Sequence, residues 1–312
     1  MVKLDAFEIQ LDSPNGCYFA GQIINGELLA ALQFSLKLKE ISVTLKGEAK
    51  TNWINKVSDN IYDSLEPYVN ERKILRYLHE TSDGETLTAG SHRMPFQFQL
   101  PPQLPSSYEG EYGYVRYSLI AQAELGPDPN CILPLSKGKE IAVERPITVL
   151  ASVELRHLSR SVSGEQTGIS KEESFEIVGC CGSGGQVNAN VTIPTMAVLA
   201  GDALPVRVTL ENQSRRRQPA AVVSFVQDVH FRSVSFFQSA SDSKTITRVV
   251  DSVRLDSPEN GKSLVKDITL TVPRELPATS LGNTIIIVRY KVKLEVGPQC
   301  ELVLPVGVAS IP

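Results

Sequence analysis

Apolar and polar side chains alternate along most of this sequence, which is the pattern of β-strands with one buried face. Apolar or small residues occupy every second position over 24–32 and again over 41–49. The two runs have opposite phase, and a one-residue slip turns every side chain to the other face of a sheet. The change of phase therefore predicts a turn or a bulge near Lys39 and Glu40. Further alternating runs cover 115–125, 206–210 and 286–296.

Helical periodicity is nearly absent, so the sequence indicates an all-β protein. Only the segment 71–80 leaves a choice, between one short helix and an irregular strand. The 19 prolines and 21 glycines divide the chain into many short strands. Short alternating strands between such breaks are typical of β-sandwich domains.

Three short motifs recur in the same order in the two halves of the chain. The repeated pairs are Ala20-Gly21 with Ala200-Gly201, Leu104-Pro105 with Leu276-Pro277, and Val115-Arg116-Tyr117 with Val288-Arg289-Tyr290. Their offsets of 180, 172 and 173 residues are nearly constant, which indicates two homologous domains in tandem. We predict antiparallel β-sandwiches over 1–150 and 176–312, joined by a polar, Ser-rich linker over 151–175. Because Arg116 and Arg289 recur, a structural role is expected for both.

Charge and composition exclude some broad classes of protein. The chain has 31 Lys and Arg against 35 Asp and Glu, a formal net charge of −4, and 42% of its residues are hydrophobic. It is too apolar for intrinsic disorder, and its charge gives no general attraction for nucleic acid. No apolar run is long enough to cross a bilayer, and the first residues contain no signal-peptide core. We therefore expect a cytosolic protein without a nucleic-acid partner.

The residue types that carry catalysis or hold metals are scattered. The five cysteines form no Cys-x-x-Cys pair and the four histidines lie far apart, so neither a disulfide framework nor a metal site is expected. The glycine-rich run 182–185 precedes an alternating strand, and no phosphate loop or nucleophile elbow is present. The adjacent Cys180 and Cys181 are expected in a loop, with lipidation as the alternative. The sequence thus predicts no enzyme, no catalytic residues, no metal and no cofactor.

Several stretches of the chain resemble the arrestin family. In the first half these are SHRMPFQFQLP at 91–101 and LPSSYEGEYGYVRY at 104–117, which resemble the arrestin N-terminal domain. In the second half, 200–212 and 304–312 resemble the arrestin C-terminal domain more loosely. The match is closest to the α-arrestins, the arrestin domain-containing proteins, and covers nearly the whole chain. The resemblance implies two tandem immunoglobulin-like β-sandwiches.

The resemblance also implies a function. The α-arrestins are non-enzymatic cytosolic adaptors that bind cytoplasmic tails of membrane receptors or transporters. They link this cargo to the endocytic machinery, to protein transport and to ubiquitination, with recruitment to the plasma membrane and endosomes. The alternative for this chain is a structural or interaction module without a role in trafficking.

A PPxY motif would favour the trafficking role, because α-arrestins recruit HECT-type ubiquitin ligases through such motifs in a C-terminal tail. The chain contains none, and the nearest sequence, Leu-Glu-Pro-Tyr at 65–68, lacks the first proline. Direct recruitment of a HECT-type ligase is therefore not expected of this chain. Cargo binding remains expected.

A set of outward-facing lysines gives a first candidate for the cargo contact. The set consists of Lys37, Lys39, Lys46 and Lys50. A basic stripe on an otherwise acidic protein would suit an acidic or phosphorylated tail, because charge-assisted contacts are stronger than neutral ones. The alternative is that alternating lysines only form the solvated face of a strand.

A run of three arginines gives a second candidate. Arg215, Arg216 and Arg217 are expected at a hairpin tip that reaches a lipid headgroup or a partner protein. The single tryptophan, Trp53, is expected in the core because of its apolar size, with a partner contact as its alternative.

Overall fold

The computed structural model shows an all-β chain made of two compact units, Met1–Ala151 and Ser152–Pro312. They are termed unit 1 and unit 2. The structure describes residues 4–57, 59–77, 86–125, 140–158, 168–179, 182–213, 220–235, 240–256, 258, 261–282, 284–297 and 300–311.

Unit 1 is a sandwich of two sheets. Its described strands are β1 (Leu4–Leu11), β2 (Cys17–Phe19), β3 (Ile23–Leu32), β4 (Leu36–Ile54), β5 (Ile61–Tyr77), β6 (Thr86–Leu87), β7 (Gly90–Gln99), β8 (Tyr108–Gly110), β9 (Gly113–Leu125) and β10 (Glu140–Leu150). One sheet has the order β1-β3-β7. The other has the order β2-β10-β9-β4-β5, with β6 paired to β4 and β8 paired to β9. The described pairings are antiparallel except that of β2 with β10.

Unit 2 has the same kind of architecture. Its described strands are β11 (Ile169–Gly179), β12 (Gly182–Ile193), β13 (Ala197–Leu199), β14 (Ala203–Asn212), β15 (Ala221–Val234), β16 (Ser241–Leu255), β17 (Ser263–Thr271), β18 (Ile286–Val296) and β19 (Cys300–Ala309). The sheets have the orders β11-β12-β14-β17 and β13-β19-β18-β15-β16. Again one described pairing, β13 with β19, is parallel. One helical turn, at 155–158, precedes these strands.

Alternation along each strand builds the two cores. In β4, Val43 and Leu45 have no exposed surface, and in β12 the same holds for Val187, Ala189 and Val191. Burial of these apolar faces between paired sheets is the main favourable term in folding such a sandwich. The predicted all-β class, with two tandem antiparallel sandwiches, is confirmed.

The predicted change of phase between the first two long strands is also confirmed. β3 ends at Leu32 and β4 begins at Leu36, and the register of β4 against β9 shifts between Leu38 and Glu40. Of the ambiguous segment 71–80, residues 71–77 belong to strand β5, so the strand alternative was right there. Residues 78–80 lie outside the described residues.

The repeated Ala-Gly pair forms the same tight turn in both units. In unit 1 the Gln22 amide donates to the Phe19 carbonyl over 3.0 Å, and in unit 2 the Asp202 amide donates to the Leu199 carbonyl over 3.1 Å. The glycine in each turn has a positive φ, 85° at Gly21 and 99° at Gly201. Because side chains other than that of glycine disfavour this conformation, the motif needs glycine at its second position.

The repeated Leu-Pro and Val-Arg-Tyr motifs meet in a hydrogen bond that we term the tyrosine latch. The Tyr117 hydroxyl donates to the Pro105 carbonyl over 2.8 Å, and the Tyr290 hydroxyl donates to the Pro277 carbonyl over 2.6 Å. Each latch ties a loop to the central strand of its sheet. The motifs recur because both sandwiches are closed by the same contact.

The chain between the sandwiches differs from the predicted linker over 151–175. The Val153 carbonyl accepts bonds from the Ser310 and Ile311 amides, and Leu158 packs against Gly307. β11 then begins at Ile169, so the start of unit 2 predicted at residue 176 was too late. β11 lies at the edge of its sheet, and of its residues 169–176 only Phe175 is buried. An edge strand exposed on both faces gives no alternation, which is why the sequence read as a linker.

Candidate functional site

Three of the four lysines predicted to contact cargo lie on the outward face of β4, namely Lys39, Lys46 and Lys50. Val43 and Leu45 point into the core, so Lys46 and Lys50, in the other phase, project away from it. β4 lies between β9 and β5, so this face is the middle of a sheet and not its edge. Lys37 is opposite Thr86 of β6, but its side chain lies outside the described residues.

Each of the three described lysines has a carboxylate beside its ammonium group. The distances are 3.0 Å for Lys39 Nζ to Glu124, 2.8 Å for Lys46 Nζ to Glu48 and 3.4 Å for Lys50 Nζ to Asp63. Hydrogen bonds to Glu124 and Glu48 raise the pKa values of Lys39 and Lys46. The outward face of β4 is therefore a line of compensated ion pairs and not a continuous basic stripe.

These ion pairs are open to water. The lysine side chains are 39–49% exposed, so solvent screens the attraction and the pairs contribute little to stability. An incoming group with a higher charge than a carboxylate, such as a phosphate, can therefore displace the internal partner at a small cost. The fold brings the lysines to one face, and another anion can take the place of their carboxylate partners.

The second candidate cannot be placed. Arg215, Arg216 and Arg217 lie outside the described residues, between the end of β14 and the start of β15, and so their assignment stays a prediction. The same is true of Cys180 and Cys181. Trp53, in contrast, is 5% exposed and belongs to the core, as expected.

One exposed cluster was missed by the sequence analysis. Ile54, at the end of β4, lies directly opposite Ile61, at the start of β5, and Val57 is at the apex of the turn between them. We term these three residues the apolar tip. Ile54 and Ile61 continue the outward phase of their strands, which is polar along β4 from Lys46 to Asn52 but carries the exposed Leu65 on β5. The break in alternation at the end of β4 is the signal that could have revealed the tip.

The titratable side chains in the described part of the chain are relevant to two kinds of site, a metal centre and a catalytic base. No three His, Cys, Asp or Glu side chains there come together in a way that could hold a metal ion. His230 Nδ1 lies 2.8 Å from Thr245 Oγ1, but Asp228 is bonded to Lys291 and Thr247 and does not orient the imidazole. Burial lowers the pKa of His230, with cationic neighbours adding to the effect. This is the arrangement of a surface hydrogen-bond cluster and not of a catalytic base with its orienting acid.

The polypeptide has no helix, among the residues that the structure describes, with the length and apolar character needed to cross a membrane.

Comparison with known proteins agrees with the fold. The family model for the arrestin (or S-antigen) N-terminal domain matches residues 7–156, and that for the arrestin (or S-antigen) C-terminal domain matches residues 183–312. Arrestin domain-containing protein 17 of Caenorhabditis elegans is 29% identical over the whole chain, which covers 72% of that relative. Human arrestin domain-containing protein 4 is 26% identical over 96% of the chain and 70% of its own length. Human arrestin domain-containing protein 1 is 24% identical over the whole chain and 66% of its own length.

Two arrestin domains in the expected order account for nearly all of the chain, and the relatives that it matches are arrestin domain-containing proteins. The chain therefore belongs to the arrestin family, among the arrestin domain-containing proteins or α-arrestins.

Proposed function

We propose that this protein is a non-enzymatic adaptor that binds cytoplasmic tails of membrane receptors or transporters. The observation that carries the proposal is the match of both arrestin domains over nearly the whole chain. As an adaptor it would connect cargo to the endocytic machinery and move from the cytoplasm to the plasma membrane and endosomes.

The outward face of β4 is the proposed contact for acidic or phosphorylated tails. Lys39, at the bulge of β4, and then Lys46 and Lys50 follow one another along the strand, so that an extended tail can meet them in turn. Each phosphate would replace a carboxylate as the partner of a lysine. Glu124 and Asp63 are 44% and 38% exposed and would return to water, whereas Glu48, at 17%, would stay half-buried. Binding of this kind is driven by charge and weakens as salt rises.

The test measures binding of a fluorescent peptide that carries several phosphoserines, beside the same peptide with serines. The variant reverses Lys37, Lys39, Lys46 and Lys50 to glutamate. The control reverses four lysines of unit 2, at 171, 244, 262 and 266, and so has the same formal charge. We expect only the first variant to lose affinity and its salt dependence, with circular dichroism unchanged in both. Equal losses in the two variants, or no phosphopeptide binding by the parent chain, would contradict the proposal.

Ubiquitination is the part of the proposed role that this chain does not support by itself. These 312 residues contain no PPxY motif for a HECT-type ligase, so direct recruitment of such a ligase is not part of the proposal. The second candidate function, an interaction module without trafficking cargo, would bind other folded proteins and give no response to phosphorylated tails in the same assay.

A further inference from the structure

The apolar tip displays aliphatic side chains at the one place in a hairpin where polar turn residues are usual. Val57 is 97% exposed, Ile54 61% and Ile61 45%. β4 pairs with β9 only as far as Thr51, so the last residues of the hairpin project beyond the sheet as a two-stranded ribbon. The three side chains are held out into solvent at the end of this projection.

The ribbon is stiffened from its other face. Trp53 and Tyr62 are cross-strand neighbours whose rings stack at 5.9 Å, and Tyr112 meets the Trp53 ring edge-on at 6.0 Å. The Val57 amide donates to Asn55 Oδ1 over 3.0 Å, which fixes the turn locally. Because the ribbon is ordered before any contact is made, little conformational entropy is lost when the tip meets a partner.

The size and charge of the tip limit what the partner can be. A stable protein interface needs about 20 residues on each side, and three aliphatic side chains fall far short of that. Lys56 and Asp59, one of each sign, flank the apex, so the tip has no net charge to attract an ionic partner. Shallow insertion into the boundary between lipid headgroups and acyl chains needs only a few apolar side chains.

We propose that the apolar tip inserts into the surface of a lipid bilayer and gives this protein a weak, charge-independent membrane contact. It goes beyond the proposed cargo binding, because the ligand is the lipid itself and the lysine face of β4 takes no part. A contact of three side chains is reversible, and stable recruitment would need a second attachment, such as cargo.

The protein contains its own reporter for this contact, since Trp53 is the only tryptophan in the chain and lies directly behind the tip. The experiment floats the full chain with vesicles of phosphatidylcholine alone, at low and at high salt. In parallel, Trp53 emission is recorded with vesicles whose lipids carry bromine at shallow or deep positions. We expect flotation at both salt concentrations and quenching by the shallow bromines.

Two substitutions at Val57 should change partitioning into the membrane in opposite directions. Val57→Asp should lower the partition coefficient at least about tenfold and Val57→Phe should raise it, because the buried apolar area changes in opposite directions. Val57 is almost fully exposed, so neither change touches the core. The matched control is Phe34→Asp, which removes another exposed side chain, 76% accessible and outside the tip, and should leave partitioning unchanged.

Four outcomes would overturn the proposal. The first is failure of the parent chain to float with the vesicles. The second is an equal loss of flotation in the Val57→Asp and Phe34→Asp variants. The third is flotation that requires phosphatidylserine and disappears in high salt. The fourth is weaker binding of a protein or peptide partner by Val57→Asp with unchanged flotation, which would make the tip a protein contact. Because the vesicles carry no cargo protein, the outcome of this experiment does not depend on the outcome of the cargo test.

Discussion

Removal of the tyrosine hydroxyl group should lower the stability of the two units by unequal amounts, although the tyrosine latch recurs in both. Tyr117 and Tyr290 are 2% and 3% exposed, and each donates to the carbonyl of the repeated proline. Only Tyr290 has a second bond, because its hydroxyl accepts from Gln227 Nε2 at 2.9 Å. Gln227 is itself 5% exposed, so water does not easily replace the lost partner.

The expected magnitudes follow from this difference. Tyr117→Phe removes one hydrogen bond and should lower the free energy of unfolding of unit 1 by about 1 kcal/mol. Tyr290→Phe removes two bonds and leaves a buried amide donor unsatisfied, so unit 2 should lose about 2–3 kcal/mol. For domains of this size the melting temperatures should fall by about 2–4 °C and about 5–10 °C.

Urea denaturation followed by two signals separates the units. Trp53 lies in unit 1 and reports its unfolding by fluorescence, whereas far-ultraviolet circular dichroism reports both units. Tyr117→Phe should move the fluorescence transition, and Tyr290→Phe should move only a part of the dichroism transition. Adding Gln227→Met to Tyr290→Phe should restore part of the lost stability, since no buried donor then lacks a partner.

A loss for Tyr290→Phe no larger than that for Tyr117→Phe would refute the reasoning. So would a double variant, Gln227→Met with Tyr290→Phe, that is less stable than Tyr290→Phe alone. Either result would mean that Gln227 finds another partner once the hydroxyl is gone.

Three further outcomes are expected. Gly113→Ala should lower the free energy of unfolding of unit 1 by about 2–3 kcal/mol in urea denaturation, because the added methyl meets the Lys50 carbonyl and the Thr51 backbone. Gly261→Ala, where φ is 69° and the space around the added methyl is open, should lower that of unit 2 by about 1 kcal/mol. Burial lowers the pKa of His230, so the unfolded chain, with a histidine pKa of about 6.5, binds the proton more readily. The free energy of unfolding of unit 2 should therefore be constant above about pH 6.5 and fall below it, and His230→Gln should flatten the profile. A pull-down with WW domains should be negative for this chain because it contains no PPxY motif.

The fold could be predicted from the sequence where one face of a strand is buried and the other is exposed to solvent. Runs such as 187–193 and 41–49 alternate strictly, and the repeated motifs gave the number of sandwiches. β11 was missed because an edge strand with polar residues on both faces carries no periodic signal. The Val153 amide donates to Ser310 Oγ over 2.9 Å, and because these residues are 157 positions apart the contact leaves no local pattern.

The candidate site was predictable in position but not in charge. Alternation alone put Lys46 and Lys50 on the outward face. Their neutralisation depends on which strands lie beside β4, since Glu124 is 85 residues from Lys39 in the sequence and comes near only through the pairing with β9. Sequence periodicity gives the face on which a side chain stands, whereas the charges around it depend on strand order.

The closing contacts of the two units constrain how the protein can be made on a ribosome. In unit 1 the last strand, β10, pairs in parallel with the short strand β2. In unit 2 the last strand, β19, pairs in the same way with the short strand β13. Unit 1 can therefore close once residue 150 has left the exit tunnel, while translation of unit 2 continues. Unit 2 must wait for β19 and for Ser310, so until these residues have left the tunnel its sheets present open edges to other nascent chains and to chaperones.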